Sequence, residues 1–541
     1  VPSVDEIRAA AREELGHPQL RPGQLEGIEA ALSGRDALVV MATGSGKSAI
    51  YQLAGFFRDG PTIVVSPLIA LQRDQVDQAE GGEAHELNST LTHAQREEVF
   101  RRLEAGETEF VLLAPEQLAN HDTRERLRAT RPSLFVVDEA HCISQWGHDF
   151  RPAYLELAAA AEALGRPPIL ALTATAAPPV RADIVERLEL RDPEIIVKGF
   201  DRPNIWLGVR RFHEADDKER ALVETVVEST PPGIVYVATQ KGSEALAAEL
   251  RERGVRAAAY HGGMSAKRRD AAQEGFMAHD GDVDVMVATI AFGMGVDKPD
   301  VRFVLHLDIS DSVDSYFQEM GRAGRDGEPA RAQLFYRPAD LGRRRFFASG
   351  KIDTATLERV ARVVRAAGRE VDALELRETL GMHRSRLATA LHRLEDAHLL
   401  EVRDDGAVAA VRGADLAQGL AAAAALEEDR EAFEKSRVEM ARGYAEVDTC
   451  RRAFLLGYFG EQFVPPCGNC DNCDAGHGVP STGHNGAAEP FEIGERVHHP
   501  EFGEGTVQRI ADGIVTVVFD RVGYKTLAED IVVRRGLLDE A

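Results

Sequence analysis

Cysteine, tryptophan and positive charge are all scarce in this chain. Its 541 residues hold five cysteines and two tryptophans, too few thiols for a disulfide-stapled scaffold. Basic residues are outnumbered, 64 Lys and Arg against 89 Asp and Glu, for a formal net charge of -25. That excludes a surface coated for polyanions, so any nucleic-acid contact has to come from a local basic groove. No run approaches the roughly eighteen apolar residues of a membrane-spanning helix. The N-terminus carries no basic-then-apolar leader pattern, and a cytoplasmic setting is expected. What remains is ordinary globular composition, 44% hydrophobic and 28% charged, in a chain long enough for roughly three to five domains.

The strand-like run Ala37-Leu38-Val39-Val40 leads into Met41-Ala42-Thr43-Gly44-Ser45-Gly46-Lys47-Ser48. Glycines there let backbone N–H groups close around phosphates, Lys47 can reach the β and γ oxygens, and Ser48 can ligate Mg²⁺. Met41 stands where the general phosphate-loop pattern has its first glycine. Thr43 to Ser48, after a strand and before a helix, nevertheless predicts nucleotide binding.

A second apolar run, Leu134-Phe135-Val136-Val137, ends in Asp138-Glu139. Carboxylates at a strand's C-terminal tip lie where α/β sheets bind ligands. Asp138 can hold Mg²⁺ while Glu139 orients or deprotonates an attacking water. A few residues on, Trp146, His148, Phe150 and Arg151 interleave rings with polar donors. That is the chemistry that stacks single-stranded bases and grips phosphate. Cys142, alone in this segment, is expected to be a small buried residue.

Short apolar runs alternate with amphipathic helices from Asp36 to about Val197, at 62–65, 110–113, 134–137 and 169–172, and again at 233–237, 257–260, 284–288 and 303–306. Two parallel α/β sheets follow from that alternation. The second lacks a phosphate loop but carries Gly321-Arg322-Ala323-Gly324-Arg325. Arg322 and Arg325, always ionised and able to bind bidentately, suit charge developing on phosphoryl oxygens.

Beyond about Asp353 the pattern is helical. A helix over 371–380, a turn at Gly381-Met382, a second helix over 385–397 and a hairpin over 399–411 make a winged helix. His383, Arg384, Arg386 and Arg393 would decorate its second helix, the one that enters a DNA groove; a purely structural winged helix is the alternative. Residues 416–447 predict a long helical strut. Cys450, Cys467, Cys470 and Cys473 follow with the spacing of a tetrahedral zinc site, with an iron–sulfur cluster or disulfides as alternatives. Asp474 to Pro490 is a Gly, Ser, Pro and His-rich linker. The alternating runs after it, to Ile531-Val532-Val533, predict a small β-barrel with Val497, Val507, Val515, Val517 and Phe519 inside, independent of the rest and tethered by the linker.

The ordered set Gln24, Thr43–Ser48, Ser66-Pro67-Leu68-Ile69-Ala70-Leu71, Asp138-Glu139-Ala140-His141 with its extension to Arg151, Thr173-Ala174-Thr175, Phe292 to Asp297 and Gln318 to Arg325 resembles the RecQ DNA helicases of superfamily 2. The Trp-containing extension is specific to that family. The resemblance implies an α/β multidomain fold: RecA-like lobes at 1–199 and 200–345, an inserted winged helix at 350–413, a helical zinc module at 414–475, a linker at 476–490, and a C-terminal SH3/Tudor-like barrel at 491–541. It implies ATP-driven 3′-to-5′ unwinding of DNA in repair, recombination or replication, with ATP, Mg²⁺ and Zn²⁺, in a bacterial nucleoid-associated setting. Gln24 is implied as adenine reader, with Arg21, Gly293 and Asp297 also at the nucleotide, Glu139 as catalytic carboxylate, Arg325 as finger, and Trp146 to Arg151 as the DNA-to-ATP coupler. The winged helix precedes the zinc module here instead of following it. The final barrel resembles the C-terminal module of UvrD/PcrA-type helicases, which implies RNA polymerase as a partner. A DNA-stimulated translocase or annealing factor, and a recruitment protein with a degenerate motor, are the competing readings; intact Lys47, Asp138, Glu139 and Arg325 argue against degeneracy.

Overall fold

Two parallel sheets wrapped in helices carry the first two thirds of the chain. The structure is a computed structural model that describes residues 2–67, 84–88, 91–144, 150–278, 281–293, 298–342, 354–402, 407–478, 490–511 and 513–540. The first sheet contains β1 (Ala37–Val40), β2 (Thr62–Val65), β3 (Ala84–Leu87), β4 (Phe110–Leu113), β5 (Leu134–Val137), β6 (Ile169–Thr173) and β7 (Glu194–Val197). They run parallel in the order β3-β4-β2-β5-β6-β1-β7. β1, β2, β4, β5 and β6 are buried along their whole length. Helices cover both faces, which is why these strands are continuous apolar runs. The edge strands β3 and β7 are more polar and more exposed.

The second sheet contains β8 (Ile205–Arg211), β9 (Gly233–Tyr236), β10 (Ala257–Tyr260), β11 (Val285–Ala288), β12 (Phe303–His306) and β13 (Ala330–Tyr336). It is parallel, in the order β10-β11-β9-β12-β13-β8. Edge strand β8 is capped by the cysteine region: Leu207 N donates to Asn469 O at 3.3 Å and Val209 N to Asp471 Oδ2 at 2.8 Å. Covering an edge in this way removes a site for stray strand pairing.

Helices Thr354–Ala367, Ala373–Leu380 and Arg384–Asp396 pack with a three-stranded antiparallel sheet of Val371–Asp372, Leu400–Val402 and Ala407–Ala410. This is the helix–turn–helix and hairpin expected, except that Val371–Asp372 is a strand. Asp372 ends it by capping the next helix, its carboxylate accepting from Leu374 N at 2.7 Å. Arg393 does not decorate a DNA-facing surface. It is 7% exposed, with Nε 3.1 Å from Glu427 Oε2 of the long helix Leu416–Glu446. The tip of the hairpin, Asp404-Asp405-Gly406, lies outside the described residues.

The C-terminal segment is a five-stranded antiparallel sheet over Arg496–Glu540. Val497, Val507, Val515, Val517 and Phe519 are fully buried in it, as the alternation predicts. Ile531 to Val533 belongs instead to the helix Glu529–Arg535, with acids in its first turn, Arg534 and Arg535 in its last, and Gly536 as a left-handed C-cap. The expectation of an independent, tethered barrel is overturned. Gln508 Nε2 donates to Gly457 O and Tyr458 O, Tyr524 stacks on Tyr458 at 5.0 Å, and Arg521 pairs with Asp429. Val518 and Tyr524 join the main core rather than the sheet's own. The preceding linker is outside the described residues from 479 to 489.

Candidate active site and metal centre

The loop after β1 and the carboxylates after β5 leave the same end of the first sheet, on either side of β6. Gly44 and Gly46 have φ of +74 and +76, a backbone that other residues adopt only with strain. Lys47 Nζ donates to Met41 O at 3.1 Å and Ala42 O at 3.4 Å. Burial pushes its pKa down, the carboxylates of Glu139 and Asp138 pull it up, and Arg325 adds to the lowering. These four side chains therefore share one electrostatic neighbourhood. Gln24 Nε2 donates to Ser45 O and Gly46 O at 3.1 and 2.8 Å, its Oε1 accepts from Arg21 N at 2.7 Å, and the Arg21 guanidinium bonds Gly44 O.

Glu139 sits in the left-handed region at φ 48, a strained backbone for a residue with a side chain. Its N–H donates to Asp138 Oδ1 at 3.0 Å. Buried His141 places Nδ1 2.8 Å from Thr173 Oγ1 and 3.3 Å from Glu139 Oε2, and Thr173 donates on to Thr175 O at 3.1 Å. Strand β6 is thus wired to the carboxylate. Tyr154 fixes the turn from below, donating to Asp138 O at 3.0 Å.

The second lobe reaches this loop. A Cβ on Gly44 would lie 3.1 Å from Arg325 Cγ, so the Arg325 side chain lies over the phosphate loop. Arg322, 3% exposed, packs beside Gly293 and Tyr236 inside its own lobe. Arg202, absent from the sequence-based candidates, joins the lobes. It donates to Thr43 O at 3.3 Å, Gly321 O at 2.9 Å, Ala323 O at 2.7 Å and Gly324 O at 2.9 Å. Burial and the nearby Arg325, Arg21 and Arg452 push its pKa down to about 10. The signal available beforehand was Asp201-Arg202-Pro203-Asn204, a charged turn at the interlobe connection. A cavity of about 520 Å³ opens beside it, lined by Arg21, Pro22, Met41, Gly44, Ser45, Lys198, Asp201, Arg202 and Glu461 among others.

Of the remaining candidates, Arg151 donates from Nη1 to Pro67 O at 2.8 Å, and Phe150 beside it is half-buried. Trp146, His148 and Asp297 lie outside the described residues. Arg386 is exposed and donates to Thr356 Oγ1 at 3.1 Å, while the Arg384 side chain is outside the described set. The site fits a bound phosphate chain: Thr43 Oγ1 and Ser45 Oγ are buried with no hydrogen-bond partner among the described residues. Ser48 and Asp138 are the residues that could hold Mg²⁺.

Cys450, Cys467, Cys470 and Cys473 bring four Sγ atoms within 4.8 Å of one another. Cys467 and Cys473 sulfurs are 3.7 Å apart, too far for a disulfide. That spacing matches the roughly 3.8 Å between thiolates placed tetrahedrally about 2.3 Å from zinc. The cluster rests on Arg451, whose Nε meets Asp471 Oδ1 at 2.5 Å.

Residues 21–183 match the DEAD/DEAH box helicase family, residues 217–327 the helicase conserved C-terminal domain, and residues 415–474 the RecQ zinc-binding family. The last match supports zinc at the four cysteines over the alternatives. The chain is 37% identical to "ATP-dependent DNA helicase RecQ" of Haemophilus influenzae over 85% of its length, spanning 62% of that relative. The corresponding protein of Pasteurella multocida is also 37% identical and 61% spanned, so the chain spans about three fifths of the length of these relatives. Among solved structures, the DUF1998 helicase MrfA bound to DNA superposes with a TM-score of 0.52 at 16% identity, over 77% of this chain and 60% of that one. Mss116p bound to ssRNA and AMP-PNP gives 0.51 at 18% identity, over 62% and 73%. At such identities the likeness is one of fold. "Probable ATP-dependent DNA helicase RecS" of Bacillus subtilis is 35% identical over 85% of this chain and 90% of that protein. With that coverage, and with the zinc-binding region matched, the chain belongs to the RecQ family of ATP-dependent DNA helicases.

Proposed function

We propose that this chain is a motor that hydrolyses ATP to unwind DNA, moving 3′ to 5′ in repair, recombination or replication. The observation that carries the reading is Arg325 of the second lobe lying over Gly44 of the phosphate loop, with Lys47, Asp138 and Glu139 beside it. In this reading Lys47 balances β and γ phosphate charge, and Ser48 and Asp138 hold Mg²⁺. When bound, Mg²⁺ neutralises charge on those oxygens. Glu139 orients the attacking water, with His141, itself held by Thr173, beside its carboxylate. Arg325 meets the charge that develops on transfer. Arg322 stabilises the turn that presents it, facing Gly293. Arg21 and Gln24 serve the base, and Asp297 is assigned to the nucleotide on the family resemblance alone. Trp146, His148, Phe150 and Arg151 stack and grip one strand, while Arg384 and Arg386 touch duplex phosphate.

Steady-state turnover with single-stranded DNA tests this assignment. Arg325→Ala should lower kcat on the order of 10³-fold while nucleotide binding persists; equal turnover would remove the finger. Trp146→Ala should leave DNA-free turnover intact and blunt its stimulation, because the stacking platform is lost.

One observation favours a second reading, a DNA-stimulated translocase or annealing factor with weak unwinding. Arg393, on the helix expected to enter a groove, is tied to Glu427 of the long strut helix, which withdraws it from a DNA-facing surface. RNA polymerase as partner of the C-terminal sheet rests on the UvrD/PcrA resemblance, and capture of purified polymerase by the full chain tests it. A nucleoid setting follows from DNA as the substrate; no described helix is long and apolar enough to cross a membrane.

A further inference from the structure

The helix Val313–Met320 ends at Gly321 and carries Arg322 and Arg325 on the turn that follows. At eight residues it is a rigid rod about 12 Å long. Whatever fixes its N-terminus therefore fixes the arginine turn. That N-terminus is held in a buried polar cluster built by elements distant in sequence. Ser312 caps it, accepting from Ser315 N at 3.0 Å. Arg437 of the long helix donates to Ser312 Oγ at 2.9 Å and lies 3.6 Å from Asp314 Oδ2. Tyr458, on the helix Arg451–Tyr458 that follows the first cysteine, donates to the same Asp314 oxygen at 2.6 Å. Ser312, Asp314, Arg437 and Tyr458 are each buried, 5% exposed or less as whole residues.

A carboxylate so deeply buried is tolerated only when paired. Here its partners come from the strut and the zinc module, so the docking of those parts and the placement of the arginine helix are one event. The C-terminal sheet completes the arrangement. Tyr524 stacks on Tyr458 with ring centroids 5.0 Å apart and planes 20° apart. Its N–H donates to Ser436 Oγ at 2.9 Å. The strand approaches so closely that a Cβ on Gly523 would fall 2.2 Å from Ser436 Oγ, and Gly523 has φ +70. Only glycine fits there.

We propose that Asp314 and Tyr458 are positioning residues for the arginine turn, and that Tyr524 of the C-terminal sheet holds Tyr458 in place. The C-terminal sheet is then a working part of the motor. The inference rests on the reading of Arg325 given above.

The test uses the full-length zinc-loaded chain, with kcat and KM for ATP measured separately at saturating single-stranded oligonucleotide. Zinc content and affinity for a fluorescent ADP analogue are measured alongside. Tyr458→Phe and Tyr524→Ala should each lower kcat about tenfold with KM within about twofold, as expected for a small misplacement of a charge-stabilising group. Zinc and ADP binding should be unchanged. Tyr524→Phe, which keeps the stacked ring, should restore wild-type kcat. If Tyr524→Ala fails to fold, Tyr458→Phe, which deletes one oxygen atom, decides alone. Unchanged kcat, or a fall accompanied by zinc loss or by failure of Tyr524→Phe to rescue, would overturn the inference. A wild-type chain without DNA-stimulated turnover would instead refute the site reading, and this inference with it.

Discussion

Replacing Arg202 by alanine should slow turnover about 10²-fold although every side chain of the phosphate loop and the carboxylate pair is kept. Its guanidinium donates to three carbonyls of the arginine turn, at Gly321, Ala323 and Gly324, and to one of the phosphate loop, at Thr43. A hydrogen bond from a charged donor contributes about 1.5–3 kcal/mol net. Four would exceed about 6 kcal/mol by that figure, but Arg325, Arg21 and Arg452 oppose the charge and burial penalises it. A net contribution of about 3 kcal/mol to the closed arrangement is reasonable, which is about 10²-fold in rate. Arg202→Lys should recover little, because a single ammonium cannot serve carbonyls spread along the turn. The assay is coupled ATP turnover with single-stranded DNA, checked against circular dichroism to confirm folding. A folded Arg202→Ala chain with wild-type kcat, or full recovery by Arg202→Lys, would refute the bridging role.

Lys47→Ala should abolish hydrolysis while DNA binding, read by fluorescence anisotropy, stays near wild type, since phosphate cradling and strand gripping use different surfaces. Cys470→Ser should lose the single zinc expected per chain, seen by metal analysis, and lower the melting temperature, because structural zinc contributes folding free energy directly. Asp36 accepts from both nitrogens of the Arg166 fork and from Ile169 N and Arg191 N. Burial raises its pKa, but Arg166 and the two backbone donors prevail and hold it below the usual carboxylate value. A depressed folded pKa gives stability that is present above the unfolded value near about 4 and is lost as pH falls through the folded value. Asp36→Asn should therefore flatten the acid limb of a denaturation series, and Asp36→Ala should destabilise by about 2 kcal/mol, because the Ile169 and Arg191 N–H groups and the Arg166 fork lose an acceptor while Glu162 still holds Arg166 Nε. An unchanged acid limb in Asp36→Asn would contradict the pairing.

The interior of the first sheet was legible because β1, β2, β4, β5 and β6 are covered on both faces and so carry unbroken apolar runs. Strands β3, β7 and β8 were not, since an edge strand tolerates His85, Glu86, Glu194, Arg210 and Arg211. The phosphate loop and the carboxylate pair declare themselves through local geometry at strand tips. Arg202 does not, because its partners are backbone carbonyls of two lobes and no side-chain pattern marks a carbonyl. The docking of the C-terminal sheet was hidden for a similar reason. Alternation identifies the buried Val497, Val507 and Val515, but it cannot show that Tyr524 and Val518 face another domain. Arg393 illustrates the opposite error, a basic residue assigned to DNA by position that the fold uses against Glu427.

Strand displacement tests the central claim most directly. Duplexes with a 3′ tail, with a 5′ tail and with blunt ends are offered to the full-length chain with ATP and Mg²⁺, beside a Glu139→Gln control. The account predicts ATP-dependent separation of the 3′-tailed duplex, far less of the other two, and none by the control. Turnover of ATP with no displacement of any duplex, or displacement that survives Glu139→Gln, would contradict it.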